Sequence, residues 1–201
     1  NGSILLLKMR RNTRDALLRW IAFMSEIIPA ILPESTDDLK KKVSALPDEI
    51  KFIHLDILEE DIWINFNKDF EAHLMVEKPE QIVEKWIKRG AKRIICHKYI
   101  DVGSEVEFGL AFELDKPLEN IAKADFVHLM SIDKIGEQGH PFNPQVFDRI
   151  KKVKENFPNL LISVDGGINK DNYQKLIDAG IDRLIVGSHF KEVWQNSQMK
   201  K

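Results

Sequence analysis

The chain has 201 residues, 43% of them hydrophobic and 31% charged, which suits one domain with a sizeable core. Its formal net charge of -2 gives no electrostatic reason to expect a nucleic-acid partner. No apolar run approaches the roughly 18 residues of a membrane span, and the single cysteine, Cys96, excludes an intrachain disulfide framework and suits a cytoplasmic protein.

Residues 1–24 differ in character from the rest. They are rich in arginine, and Leu17, Leu18, Ile21 and Met24 fall on one helical stripe, a pattern shared by transit peptides and interfacial helices. The simpler expectation is an N-terminal appendage, with Met24 as a natural translation start and residues 25–201 as the domain proper.

From Glu26 onward, strand-like and helix-like runs alternate, the signature of a parallel sheet wrapped by helices. IIPAIL (27–32) reads as the first strand, with Ser35 and Thr36 as candidate N-caps for TDDLKKKVSAL. KFIHLDIL (51–58) and FEAHLMV (70–76) follow as strands, then KPEQIVEKWIKRG (78–90) as an amphipathic helix stopped by Gly90. KRIICH (92–97), EFGLAFEL (107–114) and DFVHLMSI (125–132) supply three more strands. NPQVFDRIKKVKENF (143–157) is a helix, LLISVDGG (160–167) a strand, NKDNYQKLIDAG (169–180) a helix and DRLIVGS (182–188) the eighth strand. Eight such strands predict a (β/α)8 TIM barrel. The connections after strands two and four are too short for a normal crossover. The barrel should therefore be trimmed, with its second and fourth helices short or missing.

Four residues near strand ends carry the chemistry. His54 and Asp56 are two apart and share one face of a strand; His73 lies on the next strand, and Asp165 ends the seventh. Active sites of such barrels gather at this end. Two imidazoles and two carboxylates suit one divalent metal ion, among which zinc, iron, manganese and cobalt are equally admissible, and leave two carboxylates to move protons. Gly166-Gly167 and Gly187-Ser188 end the last two strands. There, backbone N–H groups commonly hold phosphate, although tight turns also use glycine. His97, His128 and His189 have structural explanations as hydrogen-bonded or lining residues, and Cys96 as a small buried one. Trp63 sits in the shortened connection beside the expected metal site, placed to close the pocket or meet a neighbouring subunit.

The segments IIPAIL, IHLDIL, FEAHLMVEKPEQIVEKWIKRGA, GLAFELDKPLENI and ISVDGGINKDNYQKLIDAGIDRLIVGS resemble the ribulose-phosphate 3-epimerases, over about residues 27–190. The resemblance implies a (β/α)8 barrel that interconverts D-ribulose 5-phosphate and D-xylulose 5-phosphate, commonly as a homo-oligomer. It implies His54, Asp56, His73 and Asp165 as metal ligands and Asp56 and Asp165 as the catalytic pair. Met75 and Met130 fall at positions where the family places apolar bulk over the sugar. Three departures stand out. Ala30 replaces the usual serine of the first strand, and Leu58-Glu59-Glu60 replaces a Met-Asp-Gly run. The segment 133–141 replaces a glycine-rich phosphate lid, bringing Asp133 and Glu137 there with Lys134 and His140 at hand to compensate. A divergent epimerase, another sugar-phosphate lyase or isomerase on the same barrel, and a non-catalytic relative binding metal or a phosphorylated ligand all remain open at this point.

Overall fold

A computed structural model describes residues 25–199; the appendage expected over 1–24 lies outside the described residues. Eight parallel strands close into a barrel in sequence order: β1 (Glu26–Ile31), β2 (Phe52–Ile57), β3 (Asp69–Leu74), β4 (Arg93–Cys96), β5 (Glu107–Phe112), β6 (Phe126–Met130), β7 (Leu161–Asp165) and β8 (Arg183–Val186). β8 pairs with β1 through Ile28 opposite Ile185, so no edge is left open. The strands other than β1 are buried almost throughout, because one face meets the helices and the other meets the barrel interior. No helix among the described residues is long and apolar enough to cross a membrane.

Among the described residues five α-helices cover the outside: α1 (Thr36–Ser44), α2 (Val83–Lys88), α3 (Val146–Asn156), α4 (Tyr173–Asp178) and α5 (Phe190–Gln198). Ser35 caps α1 by accepting from the Asp38 amide at 3.1 Å, and Asp38 in turn accepts from the Glu34 amide, a reciprocal cap. No helix follows β2 or β4, as the short connections require, and after β5 only a single 3-10 turn, Ile121–Lys123, remains.

Where the second helix would pack, the extended segment after β2 lays Ile62, Trp63, Ile64 and Phe66 against the core. Trp63 does not close the mouth. It packs on Phe66, Phe70 and Trp86, with the Arg89 guanidinium 5.2 Å from its ring, on the outer shell of the barrel. An apolar side chain in a helix-free stretch covers the exposed backs of β2 and β3, and that demand outweighs any role at the site.

Inside the barrel the strand alternation produces layers. At the floor, Glu71 of β3, Arg93 of β4, Glu107 of β5 and Arg183 of β8 form an ion-pair network. Arg93 lies 3.0 Å from Glu71 and 3.2 Å from Glu107, and Arg183 lies 2.9 Å from Glu107. Ile95, Ala111 and Phe126 make a small apolar plug, separate from the main core. Above them stand the histidines and aspartates of the mouth.

Candidate active site

His54 and Asp56 point inward from β2 because residues two apart share a face. The register sets Asp56 beside His73 of β3 and Met130 of β6 beside Asp165 of β7, so all four predicted residues reach one level of the barrel. His54 Nε2 lies 3.1 Å from Asp56 Oδ1 and 3.9 Å from Asp165 Oδ2. His73 Nδ1 lies 3.3 Å from Asp56 Oδ1 and 3.9 Å from Asp165 Oδ2. Both imidazoles are fully buried, while the two aspartates retain a little exposure at the top.

Three further side chains complete the constellation. Glu71, two residues before His73, is fully buried and takes a 2.7 Å hydrogen bond from His54 Nδ1 while pairing with Arg93. Accepting from Nδ1 orients the ring and leaves His54 Nε2 facing the mouth, where it meets Asp56 Oδ1. His97, at the end of β4, is hydrogen-bonded to His73 through their Nε2 atoms at 3.0 Å, which leaves His73 Nδ1 facing the mouth. His128, two residues before Met130, stacks on His54 with ring centroids 5.5 Å apart, and its Nε2 lies 3.4 Å from Asp165 Oδ2. Glu71 and His128 were available from strand parity: a buried polar residue two positions from a site residue faces the same interior. Read singly, though, such residues are more often structural, and parity alone does not separate the two cases.

The electrostatics are asymmetric. Burial works against the charge on Asp56, but His54 and His73 outweigh it and hold the carboxyl below the usual range. Burial raises Asp165, and the charge of Asp56 adds to it, so that Asp165 sits at about 6. Glu71 is kept ionised, at about 2, because His54 and Arg93 overcome its burial. Burial favours a neutral His54, yet Asp56 and Glu71 raise it well above the ordinary histidine value. His128 and His97 are pushed down by burial and by neighbouring histidines, each to about 3. The negative potential that lifts His54 is the potential that attracts a divalent cation.

The donor set fits such an ion. His54, His73, His128 and Asp165 each offer an atom within 4.8 Å of the others. His73 Nδ1 and both ring nitrogens of His128 are buried without a hydrogen-bond partner. Buried polar atoms are normally satisfied, and an orphaned nitrogen on each of two neighbouring imidazoles, His73 and His128, suits a shared ligand.

Above the cluster lies a cavity of about 190 Å³. Asp56, Asp165, Met75, Gly166, Gly167, Gly187 and Ser188 all line it, with Ala30 and Met130. Segment 133–141 folds over this space. A Cβ on Gly167 would lie 2.5 Å from the Phe142 amide nitrogen, and Gly167 has φ 63°, so both space and conformation demand glycine there. Glu137 reaches the cavity with its charge paired to Lys134 and to His140 at 3.2 Å. Asp133 turns aside to accept from Asn143 Nδ2 at 2.7 Å. The two acids therefore present less unpaired negative charge than their positions in the sequence suggest.

Comparison with known proteins places this geometry. A model of the ribulose-phosphate 3 epimerase family matches residues 26–191. The ribulose-phosphate 3-epimerase of Buchnera aphidicola subsp. Acyrthosiphon pisum is 28% identical over 192 residues, covering 81% of this chain and 84% of that protein. The Chlamydia trachomatis enzyme of the same name is 34% identical over 143 residues, covering 61% of this chain and 60% of that protein. The Bacillus subtilis one is 31% identical over 150 residues, covering 65% and 67%. Among solved structures, 3-hexulose-6-phosphate synthase from Salmonella typhimurium superposes with a TM-score of 0.62 at 12% identity, over 88% of this chain and all of that one. At that identity the likeness speaks for the barrel alone.

Proposed function

The chain is a member of the ribulose-phosphate 3-epimerase family, and from that membership we propose that it interconverts D-ribulose 5-phosphate and D-xylulose 5-phosphate by proton transfer between two aspartates. The observation that carries this reading is the pair Asp56 and Asp165. Two carboxylates, one from β2 and one from β7, face one small cavity. Inversion at a carbon next to a carbonyl needs two proton-transfer groups, a base on one face and an acid on the other.

Asp56, ionised, takes the proton from the carbon; the C–H electron pair becomes the carbon–carbon double bond while the carbonyl π pair moves onto oxygen, giving an enediolate. Asp165 delivers a proton to the opposite face, where the double-bond pair takes it as the oxygen pair re-forms the carbonyl, and the configuration is inverted. His54, Asp56, His73 and Asp165 would hold a divalent ion, whose positive charge lowers the cost of the enediolate. Glu71 and His97 keep the two imidazoles oriented. Gly166, Gly167, Gly187 and Ser188 form the rim suited to a phosphate, with Met75 and Met130 as the apolar wall beside the sugar. We assign residues 25–201 to this barrel domain.

The test is turnover of D-ribulose 5-phosphate in the presence of divalent zinc, iron, manganese or cobalt, with Asp56→Asn and Asp165→Asn compared with the parent. Each substitution is expected to lower turnover by about 10²–10⁴-fold while leaving the far-ultraviolet dichroism unchanged. Full activity in either variant would remove the two-aspartate mechanism. A product other than xylulose 5-phosphate would assign the barrel to another sugar-phosphate reaction.

A further inference from the structure

His128 has no part in the mechanism above, yet it is the least satisfied polar side chain of the barrel interior. It is fully buried on β6 and packed against His54 and His73, with ring centroids 5.5 and 4.8 Å away, and neither of its nitrogens has a hydrogen-bond partner. An imidazole that served only as filler in this layer would gain by donating to a carbonyl or a carboxylate. Its Nε2 instead faces Asp165 Oδ2 at 3.4 Å without a hydrogen bond between them. That separation matches the roughly 3–4 Å between donor atoms that share one first-row ion.

We propose that His128 is a further ligand of the ion held at this mouth, making it a three-histidine centre drawn from β2, β3 and β6 with carboxylates from β2 and β7. The assignment rests on the metal-dependent reading above. It has a chemical consequence. Three neutral imidazoles make the site nitrogen-rich, which favours a transition ion such as zinc, cobalt or iron over magnesium or calcium, whose preference is for oxygen. His128 Nε2 has Asp165 Oδ2 as its near carboxylate oxygen, whereas Asp56 Oδ1 lies beside His54 Nε2 and His73 Nδ1. In this proposal the third imidazole joins the donors beside Asp165, and Asp56 keeps its place as base.

The experiment is performed on the whole chain loaded with Co²⁺. Proton NMR of the paramagnetic protein resolves one shifted, exchangeable N–H signal for each coordinated histidine. Three such signals are expected in the parent. His128→Leu keeps the apolar volume and removes the donor. In that variant two signals should remain, with the visible Co²⁺ absorption altered and affinity in a chelator competition at least ~100-fold weaker, beyond the usual effect of losing a supporting residue. Two signals in the parent, or unchanged affinity and absorption in His128→Leu, overturn the role of His128 and leave the metal-dependent reading standing. No stoichiometric Co²⁺ in the parent overturns both. Should His128→Leu not fold, the signal count in the parent decides alone.

Discussion

Glu71 shows how much one residue can depend on its surroundings. Its folded-state pKa of about 2 lies below the ordinary 4.5, because His54 and Arg93 favour its charged form more than burial opposes it. A depressed carboxylate stabilises the fold fully above about pH 4.5 and loses that contribution as the pH falls toward 2. The parent should therefore exceed Glu71→Gln in stability by on the order of 3 kcal/mol near neutrality, with the gap closing over that acid range. Urea denaturation of the metal-free proteins across this range checks it; a gap independent of pH would mean that Glu71 acts by shape alone. Cys96 behaves oppositely. Burial pushes its thiol up to about 12, so it should resist a thiol reagent at pH 8 and react fully once the chain is unfolded. Reaction at a free-thiol rate in the native protein would show that β4 opens. At this scale the sequence disclosed His54, Asp56, His73 and Asp165, whose residue types announce themselves. It placed His128 only as a hydrogen-bonded or lining residue and gave no role to Glu71 or Arg93, because a buried polar residue acquires its meaning from partners on other strands.

Among the elements, the missing helices matter most. The stretch after β2 replaces a helix with an aromatic clamp: Asp61 takes two hydrogen bonds from Arg89, at 2.6 and 3.2 Å, and Trp63 lies beside the same guanidinium and edge-on to Trp86. Trp63→Ala should cost about 2–4 kcal/mol, read from thermal or urea unfolding, because it uncovers the backs of β2 and β3. Its effect on turnover should be small by comparison, since Trp63 does not line the mouth. The stretch after β5 is fastened differently, by Arg149 of α3 donating to the Leu114 and Lys116 carbonyls at 2.9 and 2.8 Å. Helix existence followed from apolar periodicity, but helix starts did not. α3 was expected from residue 143 and begins at Val146, where Asn143 first accepts from the Gln145 amide and the opening turn closes on i to i+3 bonds. α4 was expected from residue 169 and begins at Tyr173, since Asn172 spends its amide on the Asn169 N–H and the Gly167 carbonyl.

For the molecule as a whole, closure depends on what fits inside eight strands. Gly109 of β5 faces Phe126 so closely that a Cβ would lie 2.4 Å from the ring. Gly109→Ala should destabilise the barrel by about 1–3 kcal/mol, and Phe126→Leu in the same chain should recover part of the loss. Calorimetry of the two variants decides this, and a melting temperature unchanged in Gly109→Ala would show that the plug can yield. The sequence alone determined the succession of strands, the shortened connections and the four mouth residues. These rest on local periodicity, on connection length and on residue chemistry that a linear reading preserves. Only the tertiary structure decided that Trp63 belongs to the outer shell, that Lys134 and His140 occupy Glu137, and that His128 enters the donor cluster. Those outcomes depend on which side chains from distant strands meet at one height of a closed barrel. That height is set by register and closure, and no single strand carries it.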